Sequence, residues 1–411
     1  MNLPEQIAIP EEVVTIIRTL ERGGHEAWCV GGAIRDTLLE AGGGGDYDVA
    51  TSATPEQVQR LFPHTVAVGL RFGTVGVLDR NRDLHEVTTF RQDVETDGRH
   101  AVVAFGASLE EDLARRDFTV NAIAYHPLRH EWRDPFDGTT DLERRTLRAV
   151  GDPATRFRED YLRILRLLRF TARLEFSVQT ATWDAAVAEA EGLRGLSAER
   201  VRDEWFKGLR SAASVERLVK LWHRVGAAAI WLPELVGGEA LERLPPSPVA
   251  PEARDPVVLT ALLCLDPVAV MRRLKASNQD TARAAALVVG PAEPAGGAVD
   301  ALSVRRWLAA VGDAADDLRA LWEARHGAAW PWERQVADIR RRGDPLTRGD
   351  LAIGGGDLIE LGMPPGPAIG EALERLLALV IDDPGKNTRK RLLHEVKAAG
   401  TSGGGTDRGT A

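Results

Sequence analysis

The sequence predicts an α+β protein, with an N-terminal part that mixes strands and helices and a remainder that is helical almost throughout. Three observations carry this. Through about residue 140, short apolar runs with period-two alternation are interleaved with helix-length segments. From "DPATRFREDYLRILRLLRFTARL" onward, apolar residues recur every three or four positions, and Ala, Leu and Arg dominate. At 411 residues the chain exceeds one ordinary core, so two to four domains are expected.

The elements follow in order. Residues 11–22, "EEVVTIIRTLER", have helical apolar spacing. "AWCV" (27–30) reads as a strand and "AIRDTLLEA" as a helix after the pair Gly31-Gly32. "YDVATSA" opens as a strand. "TPEQVQRLF" is a helix capped by Thr54, with Pro55 in its first turn. "TVAVGLRFGTVGVLDR" and "LHEVTTFR" alternate like strands of one sheet. "SLEEDLARRDFTVNAIAY" starts as a helix with Ser108 at the N-cap and Glu111 completing a capping box. Beyond it the helical pattern is interrupted at "LPPSPVAPEARDP" and "VGPAEPAGGAVD". The Gly-rich end, residues 400–411, is expected to be disordered.

Composition narrows the function classes. Hydrophobic residues make up 44% and charged residues 27%, as in globular proteins. The two cysteines, Cys29 and Cys264, form neither a disulfide framework nor a metal-ligand spacing and suit a reducing cytoplasm. No signal peptide or membrane-length apolar run is read, so the expectation is a cytoplasmic protein with no membrane partner. A net charge of -9 argues against indiscriminate nucleic-acid binding and leaves room for a local basic groove.

The stretch "CVGGAIRDTLLEAGGGGDYDVATSATP" holds the first chemical signal. Residues i and i+2 of a strand share a face, so Asp46 and Asp48 place two carboxylates side by side. Such a pair repels itself unless cations bridge it, and hard oxygen donors suit Mg²⁺. A solvated turn is the competing reading of Asp-Tyr-Asp. The preceding strand–Gly31-Gly32–helix turn tips the balance, because a glycine turn and helix start let phosphate oxygens approach backbone N–H groups. Arg35, about a turn into that helix, reaches the same phosphates on this reading. Together the two features describe a triphosphate beside metal-binding carboxylates.

Arginine supplies the second signal. Arg115, Arg116 and Asp117 precede an apolar run, and one arginine there would hold phosphates while Asp117 orients it. Along 156–174, Asp160, Arg163, Arg166, Arg169 and Arg173 recur at helical spacing, opposite Leu162, Ile164, Leu165 and Leu168. A salt-bridged surface helix would also give such a stripe. Six arginines against two acids in this stretch of an acidic chain call for anionic partners.

"VGGAIRD…DYD", "RRDFTVNA", "DPFDG…DL", "REDYLRILRLLRF" and "LSAERVRDEWFKGL" resemble, in order and spacing, the class II tRNA nucleotidyltransferases. These are the CCA-adding enzymes and bacterial poly(A) polymerases of the polymerase β superfamily. The likeness is strong over roughly 25–210 and looser in the final "DLAIGGGDLIELGMPPGPAIGEALERLLALV". It implies a polymerase-β-like catalytic head at 1–145, a helical neck at 146–215, a body at 216–345 and a tail at 346–399. It further implies that Asp46 and Asp48 are catalytic metal ligands for Mg²⁺. Gly32, Arg35 and Arg116 would contact the triphosphate. Asp160 and Arg163 would read the incoming base, and Arg166 and Arg169 would make further nucleotide contacts. Glu86 would be a third acidic group on a neighbouring strand.

The base reader has a direct chemical rationale. Cytosine and adenine both present an amine donor beside a ring-nitrogen acceptor. A carboxylate accepts from the first and a guanidinium donates to the second, whereas uracil and guanine reverse both groups. The implied function is template-independent addition of C, C and A to tRNA 3′ ends from CTP and ATP, releasing pyrophosphate. A-only or CC-only addition, poly(A) synthesis and an inactive RNA-binding relative remain the alternatives. The interval "RQDVETDGRHAVVAFGASLEED" carries no obvious deletion, which disfavours CC-only addition. The short Gly-rich end, in place of a long basic extension, disfavours poly(A) synthesis. The chain has no adjacent His-Asp pair, so no fused phosphohydrolase domain is expected.

Overall fold

The computed structural model describes residues 3–39, 47–96, 101–235, 238, 241, 254–295 and 300–402. The chain forms two compact units, Met1–Leu241 with Arg272–Ala276, and Glu242–Met271 with Ser277–Ala411.

The first unit opens with α1 (Glu11–Arg22), whose Val13, Ile16, Ile17 and Leu20 face the core at helical spacing. A seven-stranded mixed sheet follows. Its strands are β1 (Ala27–Val30), β2 (Asp48–Thr51), β3 (Thr65–Gly69), β4 (Thr74–Leu78), β5 (Leu84–Thr89), β8 (Ala124–His126) and β9 (Glu131–Arg133), in the order β3-β4-β5-β2-β1-β8-β9. Only β2–β5 is parallel. All four residues of β1 are buried, as the middle of a covered sheet requires. Trp28, Val30, Ala50, Phe90, Leu113 and Val150 join one core beneath it. A separate hairpin pairs β6 (Arg91–Thr96) with β7 (Ala101–Phe105).

Local chemistry sets the helix starts. The helix α2 (Gly32–Leu38) begins straight after Gly31, whose φ of 81° and ψ of -140° favour glycine. The expected capping box of Ser108 with Glu111 starts α4 (Leu109–Ala114), and the expected Thr54 cap starts α3 (Pro55–Leu61), where Gln57 also completes a box. Next comes α5 (Gly138–Glu143), where a side chain on Gly138 would overlap the Thr119 carbonyl.

The stretch 156–174 departs from the expected single helix. It is split into α6 (Pro153–Glu159) and α7 (Leu162–Leu174), and Asp160 between them has φ -155° and ψ 103°. The Asp160 carboxylate takes the Leu162 N–H at 3.1 Å and Arg200 at 2.6 Å. A short polar side chain that satisfies nearby donors in this way competes with the helix ladder. The unit continues through α8 (Thr180–Ala188), a 3₁₀ turn at Ala190–Gly195, and α9 (Ala198–Ser211).

The second unit is helical. In its C-terminal half, Leu351, Leu358, Leu376, Val380 and Leu392 cluster between helices Gly355–Glu360, Pro367–Asp382 and Arg389–Ser402. The last helix carries three residues past the expected 399 boundary. The rest of the expected disordered end, 403–411, lies outside the described residues.

Candidate active site

A cleft of about 720 Å³ opens in the first unit. It is lined by Gly31, Gly32 and Ala33 at the β1–α2 turn, Asp48 at the head of β2, Arg115 to Asp117 after α4, and the face of α7. Among the described residues its lining has nine arginines and four aspartates, so the cavity is suited to a polyanion.

The cleft brings together Gly32, Arg35, Asp48, Arg116, Asp160, Arg163, Arg166 and Arg169. Asp46 lies outside the described residues. Glu86 lines a second cavity that shares Asp48 with the first. Val49 and Val87 are register partners in the parallel β2–β5 pair, so Asp48 and Glu86 project from one face of the sheet.

Gly31 is the pivot of the cleft rim. A Cβ built there would sit 3.1 Å from Arg116 Nη1 and 3.3 Å from Asp48 Oδ2. A guanidinium and an exposed carboxylate thus flank one glycine. Arg116 also donates to Asp112 at 3.2 Å, while its Nε is buried without a hydrogen-bond acceptor among the described residues. Carboxylate oxygens with no sulfur ligand beside them fit a hard divalent cation.

Arg35 is buried in the cleft wall, held by Asn121 at 2.5 Å and by Asp36 at 2.7–2.8 Å. Burial lowers its pKa, and the Asp36 charge opposes that shift. Asp36 also receives Arg173 at 2.8 Å, joining α2 to α7.

Asp117 is 7% exposed and accepts from Phe118 N–H at 2.9 Å, Asn121 at 2.9 Å and Arg166 at 2.7 Å. Burial pushes its pKa up, but the Arg166 charge and these hydrogen bonds outweigh burial and hold it at about 2. Arg169 donates to buried Glu204 at 2.6 Å and lies over the Phe170 ring at 4.3 Å.

Asp160 and Arg163 do not pair through their side chains. Asp160 is bound by Arg200, and Arg163 donates to Glu159 at 2.5 Å and to the carbonyls of Arg156 and Arg115 at 2.8 Å each. Arg163 is therefore fixed by three acceptors, with the cleft beside it. Sequence reasoning misses Arg200, which lines the cleft from α9 and whose Nη1 is buried without an acceptor among the described residues. Its position in "LSAERVRDEWFKGL" is the one signal that points to it.

The comparisons with known proteins point one way. Residues 27–148 match the family model of the poly A polymerase head domain, 175–237 a probable RNA and SrmB-binding site of polymerase A, and 257–396 domain 2 of tRNA nucleotidyltransferase. The CCA-adding enzymes of Geobacillus thermodenitrificans and Geobacillus stearothermophilus are each 36% identical, over 93% of this chain and 95% of theirs. A crystal structure of the Bacillus stearothermophilus CCA-adding enzyme in complex with CTP superposes with a TM-score of 0.79 at 33% identity, covering 96% of this chain and all of that one. The fold also matches a Thermotoga maritima CCA-adding enzyme complexed with tRNA, at a TM-score of 0.62 and 20% identity, covering 95% of this chain and 96% of that one.

Proposed function

The chain belongs to the family of CCA-adding enzymes, and from that membership we propose that it adds C, C and A to the 3′ end of tRNA without a template, using CTP and ATP. The observation that carries the site assignment is the arginine-lined cleft with Asp48 and Arg116 on either side of Gly31.

The terminal ribose hydroxyl attacks the α-phosphorus of the bound nucleotide. A new P–O bond forms as the hydroxyl gives up its proton to solvent, the bond to the bridging oxygen breaks, and pyrophosphate leaves with the electron pair. Asp46 and Asp48 would hold Mg²⁺, which when bound supplies Lewis-acid neutralisation of the phosphate charge. Gly32, Arg35 and Arg116 form the triphosphate side of the cleft on this reading, with Arg35 held in the wall by Asn121 and Asp36. Asp160 and Arg163 present an acceptor and a donor to the base edge. Arg166 and Arg169 complete the wall. Glu86 stands beside Asp48 on the next strand, as a third carboxylate would.

The same proposal divides the chain into head 1–145, neck 146–215, body 216–345 and tail 346–399. No helix among the described residues is long and apolar enough to cross a membrane, and we assign the enzyme to the cytoplasm with tRNA.

The test is incubation with tRNA ending at the discriminator base, with CTP and ATP singly and together, followed by sequencing of the 3′ ends. Complete CCA is expected only with both nucleotides. Ends in CC alone, A alone or poly(A) would transfer the chain to the corresponding alternative, and no incorporation would favour an inactive RNA-binding relative.

A further inference from the structure

We infer that Gly192 is a positioning residue for nucleotide selection, because the space left by its missing side chain seats the Tyr161 ring that holds the α6–α7 break. This rests on the reading of Asp160 as a base contact. Gly192 lies in the 3₁₀ turn Ala190–Gly195, far from Asp160 in sequence. A Cβ built on it would overlap Cδ1, Cε1 and Cζ of the Tyr161 ring. Its φ is outside the left-handed region, so the backbone there does not require glycine. The requirement is space alone.

The turn is not free to retreat. Leu193 is fully buried, and its carbonyl accepts the Trp231 indole N–H at 2.9 Å. Glu189, whose carbonyl accepts the Gly192 N–H at 3.0 Å, also binds Arg158 at 2.5 Å and ties α6 to the same turn. With the turn anchored and α6 tied to it, a new methyl group displaces the ring. Tyr161 is the residue next to Asp160, and Tyr161 is absent from the cleft lining. Displacing it turns the Asp160 carboxylate away from Arg200, without removing any group that touches the nucleotide. The segment that supplies the seat runs directly into α9, which supplies Arg200. One stretch of about ten residues therefore fixes both the backbone and the carboxylate of the break.

The experiment compares full-length wild type with Gly192→Ala, Tyr161→Ala, Gly192→Ala/Tyr161→Ala and Asp160→Ala. It measures kcat/KM for CTP, ATP, UTP and GTP on tRNA lacking its 3′ terminus, with thermal unfolding in parallel. A two-contact base reading carries roughly 5- to 150-fold discrimination, which Asp160→Ala is expected to forfeit. Gly192→Ala is expected to lose about tenfold of the preference for CTP over UTP, within that span, mainly through KM. Tyr161→Ala removes the ring and any overlap, so it stands as the second variant should Gly192→Ala fail to fold. It is expected to lose preference as well, and adding Gly192→Ala to it should change nothing further. If Asp160→Ala alters the preference while Gly192→Ala and Tyr161→Ala keep that of wild type, the inference is overturned and the base reading stands. An additive loss in the double variant also overturns it, because the glycine would then act on something other than Tyr161. If Asp160→Ala itself keeps the wild-type preference, the base reading fails first.

Discussion

Asp48 and Asp117 line the same cleft and differ in almost everything around them. Asp48 heads β2 and is exposed, beside a glycine turn at the edge of two cavities. Asp117 is buried under a backbone N–H, an amide and a guanidinium, and those donors keep it ionised to about pH 2. The difference separates two uses of one functional group. A carboxylate filled by protein donors holds elements together, here the end of α4 against α7. A carboxylate exposed at the rim of a cleft, as Asp48 is, faces the space a ligand would fill. The arginines differ less: Arg166 is bound to Asp117 and Arg116 to Asp112, with only the Arg116 Nε lacking an acceptor among the described residues.

The largest expected effect breaks the comparison on its catalytic side. Asp48→Ala should lower kcat/KM by a thousandfold or more, roughly the scale seen when a principal catalytic group is removed. Its melting temperature should stay near that of wild type, and a large drop in Tm would show that Asp48 is structural after all.

Asp117→Ala should do the reverse. Removing Asp117 leaves Arg166 with only the more distant Glu204 at 4.0 Å and should lower stability clearly, measurable by urea unfolding. The pH dependence sharpens this. The folded pKa lies below the ordinary value of 3.8, so the stability from Asp117 is complete above about pH 4 and is lost as pH falls toward 2. The stability gap between wild type and Asp117→Asn should therefore narrow over that window. A constant gap would sever the pKa from the ion pair.

Asp160→Ala is intermediate, worth about 1–3 kcal/mol of base discrimination with a smaller effect on folding. Misincorporation of UTP and GTP is the readout, and unchanged selectivity would return Asp160 to a purely structural role with Arg200. The smallest effect is the control. Arg194→Ala removes an exposed ion pair with Glu191 and should leave both the melting temperature and the selectivity near those of wild type.

Features set by sequence neighbours are legible in the sequence. The strand Ala27–Val30, the helix Glu11–Arg22 and the helix caps at Thr54 and Ser108 are of this kind, and each forms as expected. Most cleft residues are legible as well, through motif spacing. The break at Asp160 is not, because "REDYLRIL" contains neither glycine nor proline and its periodicity runs unbroken. The break is held by Arg200, forty residues on, and by the space at Gly192, neither of which has a local signature. The burial of Arg35 and Arg169 is hidden for a similar reason. A charge stripe read from sequence does not reveal that Asn121, Asp36 and Glu204 will meet it.

The strand order carries a consequence for synthesis. Asp48 reaches its place early, because β2 pairs with the nearby β1, yet β1 must wait for its other neighbour until Tyr125 pairs with Cys29, roughly a hundred residues later. A nascent chain released from the ribosome at intermediate length holds Asp48 on β2 with an open strand edge on β1 beside it, the kind of edge that pairs with other chains. The arginines of α7 emerge later still, and until they do Asp117 lacks Arg166 and Asp36 has Arg35 but not Arg173. Truncated products ending before α7 should therefore aggregate rather than accumulate as soluble heads.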